Sequence, residues 1–169
     1  MSALIAVITV VYLCSLPETF HSLAHRKANA AEMLSHSREH IVKEGALFAS
    51  LVHAADQPAT AKLRQQLVDN EREFHDTASE VIAELPEIAS DVEVMVGMFD
   101  HLSAAGWRAA AIAPQLPEDE RRALLDGPFA KELDVLRAKT ERVELSLQQR
   151  QDAAYPAQAH RPAEGTVGL

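Results

Sequence analysis

The stretch Ala3-Leu-Ile-Ala-Val-Ile-Thr-Val-Val-Tyr-Leu-Cys-Ser-Leu16 lies in the longest part of the chain without a charged residue, and its reading decides the fold. If it enters a bilayer, the rest is a helical body hung from a membrane. If it does not, the chain is a bundle with one all-apolar helix. As a helix, fourteen residues cover about 21 Å of a hydrocarbon core roughly 30 Å thick. A helix continuing past Pro17 with a kink would carry Thr19, Phe20 and Leu23 to the interface, with Glu18 at the water boundary. No Lys or Arg precedes the run and no small-x-small site follows it, which argues against a cleaved signal peptide. Leu13 before Cys14 argues against a lipoprotein site in the same way. The first basic residues, Arg26 and Lys27, follow the run, so the positive-inside rule puts the body in the cytoplasm. The expectation is a single-pass cell-membrane protein, anchored by residues 1–19 and touching the lipid bilayer through Ala3 to Leu16.

Beyond the anchor, 3.6-residue periodicity dominates. Leu23, Ala30, Leu34, Ile41, Phe48, Leu51 and Ala55 share one helical face, interrupted by Ser37 and Glu44. Asp56-Gln-Pro58 closes that helix. A second helix is expected over Ala61 to Leu85, with Thr60 as candidate cap. Its stripe is Leu63, Leu67, Phe74, Ala78, Val81 and Leu85, with Asn70 in the gap. Arg64, Asp69, Glu71, Arg72, Glu73 and Asp76 read as its solvated faces. Pro86 fits the first turn of a third helix with the stripe Ile88, Val92, Met95, Phe99 and Leu102. That helix ends at Gly106 or runs on through Trp107 and Ile112 to Pro114. A short acidic-ended helix from Pro117 precedes a last long one, Phe129 to Ala154. The last helix carries Phe129, Leu133, Leu136, Val143 and Leu147, with Thr140 between them. From Tyr155 the chain has little apolar mass and reads as a disordered tail. The predicted fold class is all-α: an N-terminal transmembrane helix, then an antiparallel bundle of three to four long helices over 20–154 and a tail over 155–169.

A net charge of −9, with no basic stripe, argues against nucleic acid as a partner. One cysteine permits no intramolecular disulfide. No P-loop and no nucleotide-binding glycine pattern occurs, and no acid, base or nucleophile sits in a recognisable frame, so an enzyme is not expected. No cofactor is implied.

His36, His40 and Glu44 are four residues apart and form the one candidate metal-ligating set, two imidazoles and a carboxylate on one helix face. Glu71 and His75 repeat the spacing on the next helix, and His101 is a further candidate donor. The Glu-x-x-His spacing of di-iron bundles is absent. His40-Ile-Val-Lys43 resembles the centre of a histidine phosphotransfer domain, where an exposed His has a Lys three residues on; here Glu44 separates Lys43 from Gly45. Met95 and Met98 read as core filler.

The order of features also resembles the LemA family of bacterial membrane proteins. Phe20-His-Ser-Leu-Ala24 is similar to that family's Tyr-Asn-x-Leu-Val. Lys43-Glu-Gly-Ala-Leu-Phe-Ala-Ser-Leu-Val52 aligns with its Arg-Arg-x-x-Leu-Ile-Pro-Asn-Leu-Val, matching at Leu47, Leu51 and Val52. Phe129 leads the last helix, and Glu141-Arg-Val143 is similar to Glu-x-Arg-Ile. Ala49 stands where that family has Pro, and Arg150-Gln151 where it has Tyr-Asn. The resemblance implies a membrane-anchored helical protein with no catalytic residues to carry over.

Three functions follow as expectations. The first is a membrane-anchored interaction or scaffold module, with a protein partner or a second copy. The second is a sensor or relay module taking metal or phosphate near His36 and His40. The third is a soluble bundle whose apolar N-terminus packs on a partner.

Overall fold

The apolar stripes close on one another in the computed structural model, which describes residues 2–54 and 56–154, with side chains over 22–54 and 56–149. Four long helices form the bundle: α1 (Ser2–His53), α2 (Gln57–Glu84), α3 (Ala89–Ile112) and, after the short α4 (Glu118–Leu124), α5 (Ala130–Ala154). Phe74 meets Phe99, Gly45 faces Leu133 and Arg38 faces Glu144. His40 against Asn70, Arg26 against Glu84, Trp107 against Glu71, His101 against Glu132 and Asp91 against Lys139 complete the register. Successive long helices are therefore antiparallel, in the order up, down, up, down. The expected tail, residues 155–169, lies outside the described residues, as does Ala55.

The core is the set that the periodicity picks out. Ala30, Leu34, Ile41 and Phe48 of α1 are fully buried, as are Leu67, Phe74 and Val81 of α2. Phe99 of α3 and Leu136 of α5 join them. Phe74 and Phe99 stack with centroids 3.8 Å apart. Nearer the α1–α2 turn, Phe48 sits edge-on to Trp107 at 5.4 Å and to Phe129 at 5.8 Å. Rings in these geometries add about 0.5–1.5 kcal/mol per pair beyond their burial.

Local boundaries differ from the periodic reading where capping chemistry intervenes. α2 begins at Gln57, not Ala61, because Asp56 is the cap: its carboxylate accepts the Ala59 N–H at 2.6 Å. Pro58 fits inside the first turn, where its missing N–H would have had no helical partner. Thr60 donates its hydroxyl to the Asp56 carbonyl instead of capping. Pro86 opens a 3-10 turn, Pro86–Ile88, ahead of α3. α3 then passes straight through Gly106, because the Phe48 ring lies where a side chain at 106 would stand. Between α4 and α5 the chain kinks at Gly127 (φ −97°, ψ −115°), immediately before Pro128.

The transmembrane part of the expected fold is corrected. Among the described residues no helix is long and apolar enough to cross a membrane. The run Ala3 to Leu16 is not a separate anchor. It forms the first turns of α1, which is continuous from Ser2 to His53, and its side chains lie outside the described residues. At about 21 Å it falls short of a 30 Å hydrocarbon core. The single-pass cell-membrane localisation, the cytoplasmic placement of the body and the lipid-bilayer partner go with it. The all-α bundle remains.

α1 outruns its neighbours. Arg26 bonds the carboxylate and backbone carbonyl of Glu84, the last residue of α2. α5 runs from Glu144, opposite Arg38, ten residues further to Ala154, which the antiparallel register puts opposite about residue 28. Among the described residues, the first twenty or so residues of α1, about 30 Å of helix, therefore extend past the ends of α2 and α5.

The two glycines of α3 make opposite predictions. Gly106→Ala forces a methyl into the Phe48 ring and is expected to destabilise by about 1–3 kcal/mol. Gly97→Ala meets nothing within 4 Å and is expected to stabilise by roughly 0.5–1 kcal/mol through helix propensity. Urea unfolding of both variants measures the difference; equal effects would contradict the packing described.

Candidate functional site

The polar residues that interrupt the apolar stripes do not face water. Ser37, Glu44, Asn70, Ser103 and Thr140 are all buried. Ser37 and Thr140 return their hydroxyls to the carbonyls one turn back, Met33 and Leu136, and so satisfy themselves within their own helices. Glu44, Asn70 and Ser103 instead form a polar cluster between α1, α2 and α3.

Asn70 is its hub. Its Nδ2 donates to Glu44 Oε2 at 2.8 Å and to the His40 backbone carbonyl at 3.0 Å. Its Oδ1 faces His40 Nδ1 at 2.9 Å. With both amide hydrogens committed to oxygens, Oδ1 accepts, so His40 Nδ1 carries the hydrogen. One α2 side chain thus holds α1 at three points. On the solvent side Glu73 approaches His40 Nδ1 at 3.8 Å and Lys43 at 3.5 Å.

Glu71 is the second carboxylate. Ser103 donates to its Oε1, and Trp107 Nε1 donates to the same oxygen at 2.7 Å. The helix face read as solvated therefore turns one carboxylate toward α3. Arg64 lies over the Trp107 ring, its guanidinium carbon 5.7 Å from the centroid.

Glu44 has no exposed surface, and its Oε1 has no hydrogen-bond partner. Burial pushes its carboxyl from the ordinary 4.5 up to about 7. The Asn70 hydrogen bond opposes that rise, the Glu71 charge adds to it, and Ser103 and Lys43 oppose it more weakly.

The predicted metal donors are dispersed. His36 is exposed on α1, whereas His40 is largely covered and bonded to Asn70. Glu44 points into the cluster. His75 pairs with Asp100 at 2.9 Å and His101 with Glu132 at 3.1 Å, in two separate seams. Among the described residues no group of three His, Cys, Asp or Glu side chains is arranged to hold a metal ion. Of the two ring nitrogens of His40, Nδ1 is bonded to Asn70.

Ser103 and Trp107 were missed, and Glu71 was placed both on a solvated face and among the further candidate metal donors. The three lie 27 to 63 residues from Glu44 in sequence. The usable signal was the pair of gaps at Glu44 and Asn70 in two facing stripes.

No relative is found. No family model matches the chain, and neither a curated protein nor a solved structure does. The LemA resemblance is corrected accordingly. Leu47, Leu51, Val52 and the Phe at 48 belong to the spacing of a buried helix face, with Phe48, Leu51 and Val52 themselves in the core. Such matches arise in any bundle helix.

The raised Glu44 fixes the sign of a pH dependence. The folded state holds a proton that the unfolded chain releases near 4.5, so its stabilising contribution is complete below that pH. It is lost as the pH rises through about 7, by about 3 kcal/mol in all. Urea unfolding from pH 4.5 to 8 is expected to show this decline in the parent and not in Glu44→Gln. The variant should be the more stable at pH 8; a less stable variant there would contradict a buried, uncompensated carboxylate.

Proposed function

We propose that the chain is a helical interaction module that docks a protein partner through the N-terminal part of α1. The observation that carries this reading is the overhang. The bundle ends near Arg26, yet α1 extends about 30 Å further. The overhanging sequence includes the uncharged run from Ala3 to Leu16, rich in Val, Ile and Leu. Covering an apolar helix with a partner stabilises by about 25 cal/mol for each square ångström of apolar surface removed from water. A groove lined with apolar side chains is the complementary surface, as in other helix-in-groove recognition. The bundle then serves as a rigid base that fixes where the helix emerges.

A binding module rather than an enzyme is the corresponding reading of the interior. Its carboxylates are engaged with Asn70, Ser103 and Trp107 inside the packed bundle, a structural use of polar groups.

Removing Met1 to Pro17 separates the two parts. The shortened chain is expected to keep its helical circular dichroism and melt within a few degrees of the full chain. It should elute as a monomer by light scattering, whereas the full chain elutes as a complex with a protein. Loss of the bundle's melting transition on truncation would show that the run belongs to the core. Co-flotation of the full chain with lipid vesicles, lost on truncation, would replace the protein partner with a lipid surface and overturn the proposal.

A further inference from the structure

The Glu44 cluster has one hydrogen too few for two charged carboxylates. Ser103 has a single hydroxyl hydrogen, and it goes to Glu71 Oε1, which also receives the Trp107 indole hydrogen. Asn70 gives its two hydrogens to Glu44 Oε2 and the His40 carbonyl. Glu44 Oε1 remains, fully buried and without a donor. Ser103 is also near Glu44, but its single hydroxyl hydrogen cannot serve both carboxylates at once. A proton on Glu44 makes the group neutral and removes the cost of burying a charge on an oxygen that has no donor. The ionised form leaves the oxygen orphaned beside a second negative charge, an arrangement that is strongly unfavourable away from water.

We propose that Glu44, buried beside Glu71 with one oxygen unpartnered, is a one-proton site whose occupancy governs how tightly α1 packs on α2. Proton binding closes the seam at Asn70; proton loss drives water into it.

The surrounding charges leave little alternative compensation. On α1 the neighbouring cationic groups are Lys43 and, when protonated, His40, and both face Glu73 on the solvent side. α2 contributes Glu71, which adds negative charge. α3 contributes the uncharged Ser103 and Trp107. From α5, Leu133 packs beside Gly45, and no charged group of α5 contributes to the shift at Glu44. Asn70 therefore reports the seam: its amide hydrogens bond across it to α1 and exchange when the two helices part, without either helix unwinding. This proposal is independent of what the end of α1 binds.

The test is hydrogen exchange of the Asn70 side-chain amide by NMR in the full chain, corrected for the intrinsic pH dependence of exchange. Protection is expected to fall about tenfold per pH unit from 4.5 to about 7 and then level off, as one-proton linkage requires. Emission from Trp107, the sole tryptophan, should step with a midpoint near 7. Glu44→Gln should make both profiles flat. Glu71→Gln removes the neighbouring charge and should move both to lower pH, and this arm carries the test if Glu44→Gln does not fold. Flat profiles in the parent, or unchanged profiles in the variants, would overturn the proposal. So would a parallel loss of protection at backbone amides throughout α3 and α5, which is the signature of global unfolding.

Discussion

Everything in the middle of this bundle accommodates a carboxylate placed where an apolar side chain would serve. Glu44 occupies a core position of α1, one turn from Ile41 and Phe48, and both of those are fully buried. Removing a carboxyl group from water is costly unless it is neutral or fully bonded. Asn70 supplies one bond and spends its other groups on the backbone and imidazole of His40. The polar hub therefore fixes the register of α1 on α2 at a single level, which a stripe of aliphatic residues alone does less sharply. Buried polar groups that select one alignment among several are an established use of such residues in helical assemblies.

Above and below that level the packing is apolar and close. Phe48 presses on the backbone at Gly106, and Phe74 lies flat on Phe99. Two aromatic layers thus bracket the polar one. Trp107 belongs to both kinds of layer: its ring packs against Phe48 and its indole nitrogen bonds Glu71. A change in the carboxylate layer is coupled through that one side chain to the aromatic end of the bundle.

The helices were legible because each carries a stripe at helical spacing, and most stripe residues are buried. The interruptions at Ser37, Glu44, Asn70 and Thr140 were legible as interruptions, but their meaning was not. Periodicity tells which face a residue occupies; it does not tell which residue of another helix stands opposite. Glu44 was grouped with His36 because they share a helix, whereas its partners come from α2 and α3. Glu71 was misread for a related reason, since charge on its neighbours masked a side chain turned inward. The caps at Asp56 and the passage of α3 through Gly106 depend on single contacts that a stripe does not encode. The anchor was inferred from an absence of charge, and an absence of charge fits a helix awaiting a protein surface as well as one in lipid.

The unequal lengths of the helices have a mechanical consequence. A rod clamped along part of its length and reaching beyond the described ends of α2 and α5 acts as a lever. Over an arm of about 30 Å, a tilt of roughly five degrees at the clamp carries the far end through about 2.5 Å. Rearrangements too small to disturb the core would thus be magnified at the tip, and the stiffness of the clamp would set how finely that tip is aimed.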